Sequence, residues 1–308
     1  MIRLSGDQPV PALARGAVVA LGNFDGFHVG HQAVVGRAIE RARAEGRPAM
    51  VATFDPHPAR LFKPDAPPFL LTTISQRMDL FEAFGADAAL ALPFDGKLAA
   101  VSPEGFVSDW LHERIGAAAV VTGEDFTFGK ARAGTTADLA TLCERHGMHA
   151  ETVRAVETDG AVASSTRVRQ HLKAGEMEAA AALLTRAYAI RGMVQHGDKL
   201  GRTIGFPTAN IALGDYLRPA YGVYAVRGRL ADGRVLNGAA NLGIRPQFDP
   251  PKELLEPYFF DFSGDLYGQE LTVELVRFLR PEAKFDSLDA LTAQIEADCA
   301  EARSILAA

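Results

Sequence analysis

Short apolar runs that alternate with helical patterns constrain the first half of this chain more than any other feature. Four runs have the composition of strands buried on both faces, and they lie at residues 18–21, 49–53, 86–92 and 118–121. Between the first two, Val35, Ile39 and Ala42 recur at helical spacing and predict a crossover helix. Because strands alternating with helices form a parallel sheet covered on both faces, we predict an α/β domain over residues 1–185.

A different pattern begins near residue 186. After a helical stretch at residues 178–188, strands are predicted at residues 189–194, 222–229, 257–262 and 271–278. Turn residues rather than helices separate them, which is typical of an antiparallel barrel. A final helix is capped by Asp286 or Ser287, and its apolar stripe consists of Leu288, Leu291, Ile295, Cys299, Ala302 and Leu306. We expect this helix to pack on the barrel, in an all-β domain over residues 186–308.

Composition excludes several classes of protein. The net charge of −6 argues against a general nucleic-acid binder, because such proteins neutralise phosphates with clustered Lys and Arg. The two cysteines, Cys143 and Cys299, lack the spacing of a disulfide framework or a zinc site. Neither a signal-like N-terminus nor a membrane-length apolar stretch is present in the sequence. We predict a cytoplasmic protein, a monomer or weak oligomer, that binds small molecules but neither nucleic acid nor membrane.

A turn rich in glycine and histidine follows the first strand, and a helix is predicted from about Gln32. The turn reads Gly22-Asn23-Phe24-Asp25-Gly26-Phe27-His28-Val29-Gly30-His31. Its glycines allow close backbone approach, and the N-terminus of the helix offers N–H groups to phosphate. His28 and His31 can stabilise charge on a transferring phosphoryl group. A metal-binding pair of histidines is the alternative, although no third ligand stands at a convincing spacing. The sequence contains no Walker A motif.

This turn resembles the FAD synthetase branch of the nucleotidyltransferase superfamily. Strings at residues 53–58, 123–129 and 164–169 match that branch in the same order. The resemblance implies a Rossmann-like sheet of the HUP type and transfer of the adenylyl group of ATP to FMN. The FMN phosphate would attack the α-phosphorus in line and release pyrophosphate. Charge would be stabilised by Arg167, His28, His31 and Mg²⁺.

The resemblance also assigns substrate contacts. It implies nucleotide contacts from Gly22, Asn23, Phe24, Asp25, Gly26, Gly30, Asp125, Ser164, Ser165 and Thr166. It implies flavin contacts from Asp55, Pro56, His57, Phe126 and Phe128. By themselves, the serines and threonine make a good helix N-cap, and the aromatic string reads as a loop with packed rings. Residues 55–57 follow the second strand, at the sheet edge where open α/β sheets bind ligands.

A second glycine-rich string opens the barrel, from Gly197 to Asn210. It reads Gly-Asp-Lys-Leu-Gly-Arg-Thr-Ile-Gly-Phe-Pro-Thr-Ala-Asn and resembles the riboflavin kinase signature. Glycines at every fourth position suit a loop that closes over a nucleotide, and the predicted contacts are Gly197, Gly201, Arg202, Gly205 and Pro207. The Thr208 hydroxyl and the Asn210 amide oxygen suit Mg²⁺, a hard cation. A Pro-Thr-x-Asn sequence in isolation is usually only a turn.

The kinase resemblance further implies a base and flavin contacts. The base is Glu256, five residues before Asp261-Phe262, which is expected to lie in a strand. Flavin contacts are implied for Asn241 and Arg245. Two positions depart from the family pattern: Gln247 stands where threonine is usual, and Tyr258 where histidine is common. We expect both to bear on flavin affinity and kinase rate.

Taken together, the two signatures predict an enzyme that uses ATP to phosphorylate riboflavin to FMN and then to adenylylate FMN to FAD. Three alternatives stay open at this point. The chain can be a monofunctional enzyme of the same architecture, a non-catalytic flavin or nucleotide sensor, or another nucleotidyltransferase. The last of these leaves the kinase-like barrel unexplained.

Overall fold

The chain divides into two compact units in a computed structural model that describes residues 1–6, 8–196, 205–245 and 252–307. The first unit comprises Met1–Pro67 and Thr72–Ser164, and the second comprises Pro68–Leu71 and Ser165–Ala308. The predicted boundary near residue 186 stays a prediction of where the two activities separate.

A parallel six-stranded sheet forms the centre of the first unit. Its strands are β1 Ile2–Ser5, β2 Val18–Leu21, β3 Ala49–Asp55, β4 Ala88–Pro93, β5 Ala119–Gly123 and β6 His149–Val153. They lie in the order β1-β4-β3-β2-β5-β6, and all neighbours are parallel. The predicted parallel sheet is therefore confirmed. The two edge strands, β1 and β6, were not predicted, because their half-exposed residues do not form an apolar run.

Helices cover both faces of this sheet. They are α1 Val29–Glu45, α2 Pro58–Phe62, α3 Ile74–Phe84, α4 Gly96–Ala99, α5 Phe106–Ile115 and α6 Thr136–Arg145, with single turns at Ala12–Ala14, Pro103–Gly105 and Lys130–Arg132. Alternate residues of β2 enter different cores: Val18 and Ala20 pack on one face, and Val19 and Leu21 on the other. A hairpin of two short strands, β7 Glu157–Thr158 and β8 Ala161–Val162, completes the unit.

The first crossover helix begins earlier than predicted. Helix α1 starts at Val29 instead of Gln32, and His28 is its N-cap. The reason is local, since the imidazole Nδ1 of His28 accepts a hydrogen bond from the backbone N–H of Gly30. This bond satisfies one of the N–H groups that a helix start otherwise leaves unpaired.

A closed antiparallel barrel forms the centre of the second unit, in the order β10-β13-β12-β11-β14-β9. Its strands are β9 Tyr188–Gln195, β10 Asn210–Ala212, β11 Gly222–Leu230, β12 Val235–Arg245, β13 Lys252–Phe259 and β14 Glu270–Pro281. The helices of this unit are α7 Ser165–Ala174, α8 Met177–Leu184 and α9 Leu288–Ala307. The predicted barrel with a C-terminal helix is confirmed.

Two predicted elements of the second unit are displaced. The helical stretch expected over 178–188 ends at Leu184, because Thr185 adopts a left-handed φ of 60° and Tyr188 already opens β9. The strand expected at 257–262 is β13, which ends at Phe259. Asp261 and Phe262 therefore lie beyond the strand, and Asp261 has a φ of 55°.

Helix α9 packs on the barrel as expected. Ala302 and Leu306 are buried against Ala225, Ala239 and Phe260. The Ser287 hydroxyl accepts a hydrogen bond from the N–H of Ala290, which selects the serine among the two predicted caps. Among the described residues, no helix is long and apolar enough to cross a membrane.

Candidate active sites

The glycine-histidine turn and the 55–57 segment meet at one edge of the parallel sheet. The turn follows β2 and the segment follows β3, and these strands are parallel neighbours. The Thr53 hydroxyl donates to the backbone carbonyl of Asn23, with 2.8 Å between the oxygens. The structure thus brings together two sequence motifs that were predicted to contact different substrates.

Two histidine rings stack at the start of α1. The centroids of His28 and His31 are 3.7 Å apart, with 26° between the ring planes. Because Nδ1 of His28 accepts from Gly30, a neutral His28 carries its proton on Nε2. The pair therefore lies at a helix N-terminus, where backbone N–H groups favour anions.

Phe24 and Asp25 point into the protein. The Phe24 ring packs edge-on against His31 and Phe81, at centroid distances of 5.4 and 5.8 Å. The Asp25 carboxylate accepts hydrogen bonds from the N–H and the hydroxyl of Thr72, both at 3.0 Å. The Thr72 hydroxyl in turn accepts from the N–H of Gly26. These contacts stabilise the turn from within, so the two side chains support its shape.

Aromatic rings that the sequence analysis did not single out surround the segment after β3. The His57 imidazole caps α2 by accepting from the N–H of Ala59, and Asp55–Pro56 is a cis peptide bond. Phe94 lies edge-on to Phe54 and 6.0 Å from Phe62 between ring centroids. Phe62 is 67% exposed, unusual for so large an apolar side chain. Only this exposure, which sequence does not show, marks it as a candidate ligand contact.

The strings at 123–129 and 164–169 occupy a loop and a helix start. Phe126 stacks on Phe128, with 5.8 Å between centroids, and Phe128 is buried against Phe106. Phe126 is half-buried, whereas Asp125 in the same loop is exposed. Ser164 ends the first unit. Ser165, Thr166 and Arg167 form the first turn of α7 in the second unit, as the predicted helix start required.

The predicted kinase residues converge on neighbouring barrel strands. Asn241 on β12 lies directly opposite Glu256 on β13. On the other side of β13, Ile211 pairs with Leu255, which brings the adjacent Asn210 beside Glu256. Directly opposed residues share a face of the sheet. Three residues from separate motifs therefore lie in one row.

Glu256 forms an ion pair with Arg245. The same guanidinium lies 3.4 Å from the carboxylate of Glu282, which also accepts a hydrogen bond from the Asn241 amide. A Cβ at Gly243 would collide with this carboxylate, so glycine permits its approach. Glu282 was not predicted as a site residue, because no sequence motif includes it.

The remaining described residues of the kinase motif differ in backbone conformation and in exposure. Gly205 adopts a φ of 90°, Pro207 is exposed, and Thr208 is half-buried. Tyr258, one of the two departures from the family pattern, packs edge-on against Phe206 at 5.3 Å. The predicted residues outside the described part of the chain are Gly197, Gly201, Arg202 and Gln247.

Oxygen ligands at the start of β10 fit a magnesium ion that also binds phosphate. Thr208 and Asn210 are two positions apart and supply a hydroxyl and an amide oxygen. Within the described ranges, no group of three or more His, Cys, Asp and Glu can hold a metal ion. Magnesium commonly takes one or two protein oxygens and completes its shell with water and substrate phosphates. The two residues therefore suit a cation that arrives with a nucleotide.

Two family models match the chain. The FAD synthetase model matches residues 10–167, and the riboflavin kinase model matches residues 184–306. The first covers sheet strands β2 to β6 with the glycine-histidine turn, and the second covers the barrel. The glycine-histidine turn and the string from Gly197 to Asn210 thus each fall within the corresponding match, whereas the 164–169 string extends two residues beyond the first match.

Similar curated proteins share nearly the whole length of the chain. They are named bifunctional riboflavin kinase/FMN adenylyltransferase. The protein of Escherichia coli (strain K12) is 38% identical over 288 residues, which are 94% of this chain and 92% of that protein. The protein of Pseudomonas fluorescens is 40% identical over 294 residues, which are 95% of this chain and 94% of that protein.

A solved structure shares the architecture. The crystal structure described as a macrolide-efflux protein from Streptococcus pneumoniae has a TM-score of 0.86 and 31% sequence identity. The match covers 97% of each chain. That description belongs to the pneumococcal protein alone.

The sheet, the barrel and their two family matches define an ATP-dependent transferase with two catalytic domains. More narrowly, the chain belongs to the family of bifunctional riboflavin kinases/FMN adenylyltransferases. It phosphorylates riboflavin to FMN and adenylylates FMN to FAD, with ATP as the donor in both reactions. The predicted bifunctional activity is confirmed, in preference to the three alternatives.

Proposed function

We propose that FMN is adenylylated where the turn 22–31 meets the segment 55–57. The observation that carries this assignment is the Thr53–Asn23 hydrogen bond, which joins the segment predicted to bind nucleotide to the one predicted to bind flavin. In this assignment the start of α1 binds the phosphates of ATP. The segment after β3 binds the flavin, so both substrates lie at one sheet edge.

The reaction needs alignment and charge stabilisation rather than a covalent enzyme intermediate. An oxygen of the FMN phosphate attacks the α-phosphorus of ATP, and the bond from that phosphorus to the bridging oxygen breaks. The electron pair leaves with pyrophosphate. The Nε2–H of His28 donates to the developing negative charge, and His31 holds the ring by stacking. Ser164 of the first unit also contacts the phosphates, and the nucleotide contacts expected of Ser165, Thr166 and Arg167 stay predictions.

Flavin contacts come from aromatic rings and polar groups of the same edge. Phe62, Phe94 and Phe126 offer apolar faces to the isoalloxazine ring, since none of them is fully buried. Asp55 and His57 supply polar contacts beside them. The flavin would therefore cover the exposed Phe62.

Riboflavin is phosphorylated at the row formed by Asn210, Glu256 and Asn241. Glu256 accepts the proton of the riboflavin 5′-hydroxyl while that oxygen attacks the γ-phosphorus of ATP and ADP leaves. The Arg245 guanidinium forms an ion pair with this carboxylate. Asn241 and Arg245 then contact the flavin. Among the described residues of the glycine-rich string, Gly205 and Pro207 contact the nucleotide.

Thr208 and Asn210 hold Mg²⁺ in this proposal. When bound with ATP, the ion neutralises charge on the phosphates. Expectations of a cytoplasmic location, of a monomer or weak oligomer, and of no nucleic-acid or membrane partner stay predictions.

A crossed pair of variants tests both assignments on one polypeptide. His28→Asn keeps a good N-cap but removes the imidazole, so FMN adenylylation should fall by about 100-fold or more while riboflavin phosphorylation persists. Glu256→Gln should give the reverse pattern, with a kinase loss of about 100-fold or more. Riboflavin, FMN and FAD are separated by chromatography over time, starting from riboflavin or from FMN. If either variant retains wild-type rates in both reactions, the corresponding site assignment is wrong.

A further inference from the structure

The guanidinium of Arg77 is buried beneath the proposed adenylylation site. Arg77 lies on α3, only 1% of its surface is exposed, and it is among the largest fully buried side chains of the described residues. Burying a cation is costly, and burial lowers the pKa of Arg77 from its ordinary value. A methionine or leucine would fill such a position at less cost. Packing alone therefore does not explain why an arginine occupies this position.

The contacts of Arg77 join two segments that are distant in sequence. Its Nη1 lies 2.8 Å from the carbonyl oxygen of Asn23, in the turn proposed to bind ATP. The same nitrogen lies 2.9 Å from the Thr53 hydroxyl and 3.3 Å from the carbonyl of Phe54, directly before Asp55. One nitrogen thus contacts both the nucleotide turn and the strand end that carries the flavin segment.

The start of α3 is fixed to the same turn by a second set of contacts. Thr72, two residues before the helix, binds the Asp25 carboxylate and accepts from the N–H of Gly26. Thr73 and Gln76 then form a reciprocal capping box. Asp25 and Asp55 oppose the effect of burial on the Arg77 pKa through their charge. The start of α3 and the carboxylates of Asp25 and Asp55 thus both stabilise Arg77 in its buried position. The Nε of Arg77 has no hydrogen-bond partner in the described part of the chain.

We propose that Arg77 is a positioning residue for FMN adenylylation. It fixes the carbonyl of Asn23 against the end of β3, and so sets the spacing between the ATP phosphates and the flavin phosphate. This inference rests on the proposed function of the two segments. Alignment of reacting groups is the main contribution a protein makes to phosphoryl transfer, and a misplacement of 1 Å can cost about 100-fold in rate.

Two substitutions separate the contacts of Arg77 from its charge. Arg77→Met is apolar and of similar length, so it removes both charge and hydrogen bonds. Arg77→Lys keeps a cation but loses the planar guanidinium that reaches several acceptors. We expect kcat for FMN adenylylation to fall about 100-fold in the methionine variant and about tenfold in the lysine variant. KM for ATP and for FMN should change less than threefold, because the groups that bind substrate remain.

Controls come from the same chain. Thr122→Val removes a buried hydroxyl on β5 that lacks a hydrogen-bond partner among the described residues, and it should leave adenylylation unchanged. Riboflavin phosphorylation is also measured for all these variants, because it shows whether the second unit is still active. His28→Asn is assayed in parallel: if it keeps full adenylylation activity, the proposed site is wrong, whatever Arg77 does.

The inference is overturned if folded Arg77→Met, checked by circular dichroism, adenylylates FMN with the wild-type kcat. It is also overturned if only KM rises, since that result indicates a binding role. Should the methionine variant fail to fold, the lysine variant decides: a folded protein with a tenfold lower kcat supports positioning, and an unchanged kcat refutes it.

Discussion

The Glu282 carboxylate accepts a hydrogen bond from the Asn241 amide, with 3.1 Å between Oε1 and Nδ2. The same oxygen lies 3.4 Å from Nη1 of Arg245. One carboxylate outside every sequence motif therefore orients both residues proposed to contact riboflavin. Glu282 directly follows β14, whereas Asn241 and Arg245 belong to β12.

Glu282→Ala should weaken riboflavin binding at the kinase site. Loss of a hydrogen bond to a charged group is worth roughly 1.5 kcal/mol, so KM for riboflavin should rise about tenfold. FMN adenylylation should not change. The matched control is Glu274→Ala, which removes a carboxylate paired with Arg229 on the same barrel. Steady-state kinetics with riboflavin as the varied substrate checks this, and an unchanged KM would contradict it.

Phe62→Ala should raise KM for FMN in adenylylation by about three- to tenfold, the effect of losing roughly 1 kcal/mol of aromatic contact. Thermal stability should stay near wild type, since the ring is mostly exposed. Leu13→Ala provides a control, because Leu13 is 83% exposed in the same unit and belongs to no proposed site. Equal effects of both substitutions would argue against a flavin contact.

Asp298→Ala should destabilise the second unit. The Asp298 carboxylate is buried on α9 and receives the Arg280 guanidinium through Nε and Nη2, at 2.9 and 2.7 Å. Removing one partner of a largely buried pair leaves the other charge uncompensated, at a cost of about 3 kcal/mol. Chemical denaturation monitored by circular dichroism measures the change. Asp261→Ala is the control. Asp261 pairs with Arg303, which lies on α9 as Asp298 does. Both side chains of this pair are exposed, so the pair should contribute little to stability.

The pair of Arg218 and Glu253 should make the unfolding free energy of the barrel depend on pH. Arg218 holds the pKa of Glu253 below its ordinary value, with 2.7 Å between Nη2 and Oε2. Tyr221 also donates to this carboxylate, and burial with this bond raises the pKa of Tyr221 to about 12, so it stays a donor.

The folded state therefore binds protons at Glu253 less readily than the unfolded state, whose pKa is about 4.3. The stabilisation is complete above that value and is lost as the pH falls through the folded pKa. Glu253→Gln should lower the free energy of unfolding at pH 7, and its difference from wild type should shrink as the pH falls below the unfolded pKa of about 4.3. Urea denaturation at several pH values checks this. If the difference in unfolding free energy between Glu253→Gln and wild type does not change with pH, Glu253 is not the source of the pH dependence.

The sequence by itself determined the architecture and the motifs. Apolar runs such as residues 18–21 specify strands buried on both faces, and the change of pattern after residue 186 specifies a barrel. These are local properties, because periodicity and turn residues act within a few positions. The glycine-histidine turn and the Gly-Phe-Pro-Thr-Ala-Asn string were visible for the same reason.

Only the tertiary structure decided which residues support these motifs. Arg77 reads as one polar residue of a helix, yet folding brings its guanidinium to Asn23, 54 residues away. Glu282 reaches Asn241 across 41 residues. Strand β12 was likewise missed, because its Asn, Gly and Ala have weak strand propensity and it forms through pairing on both sides. Contacts between distant segments depend on how strands and helices pack, and no local pattern records them.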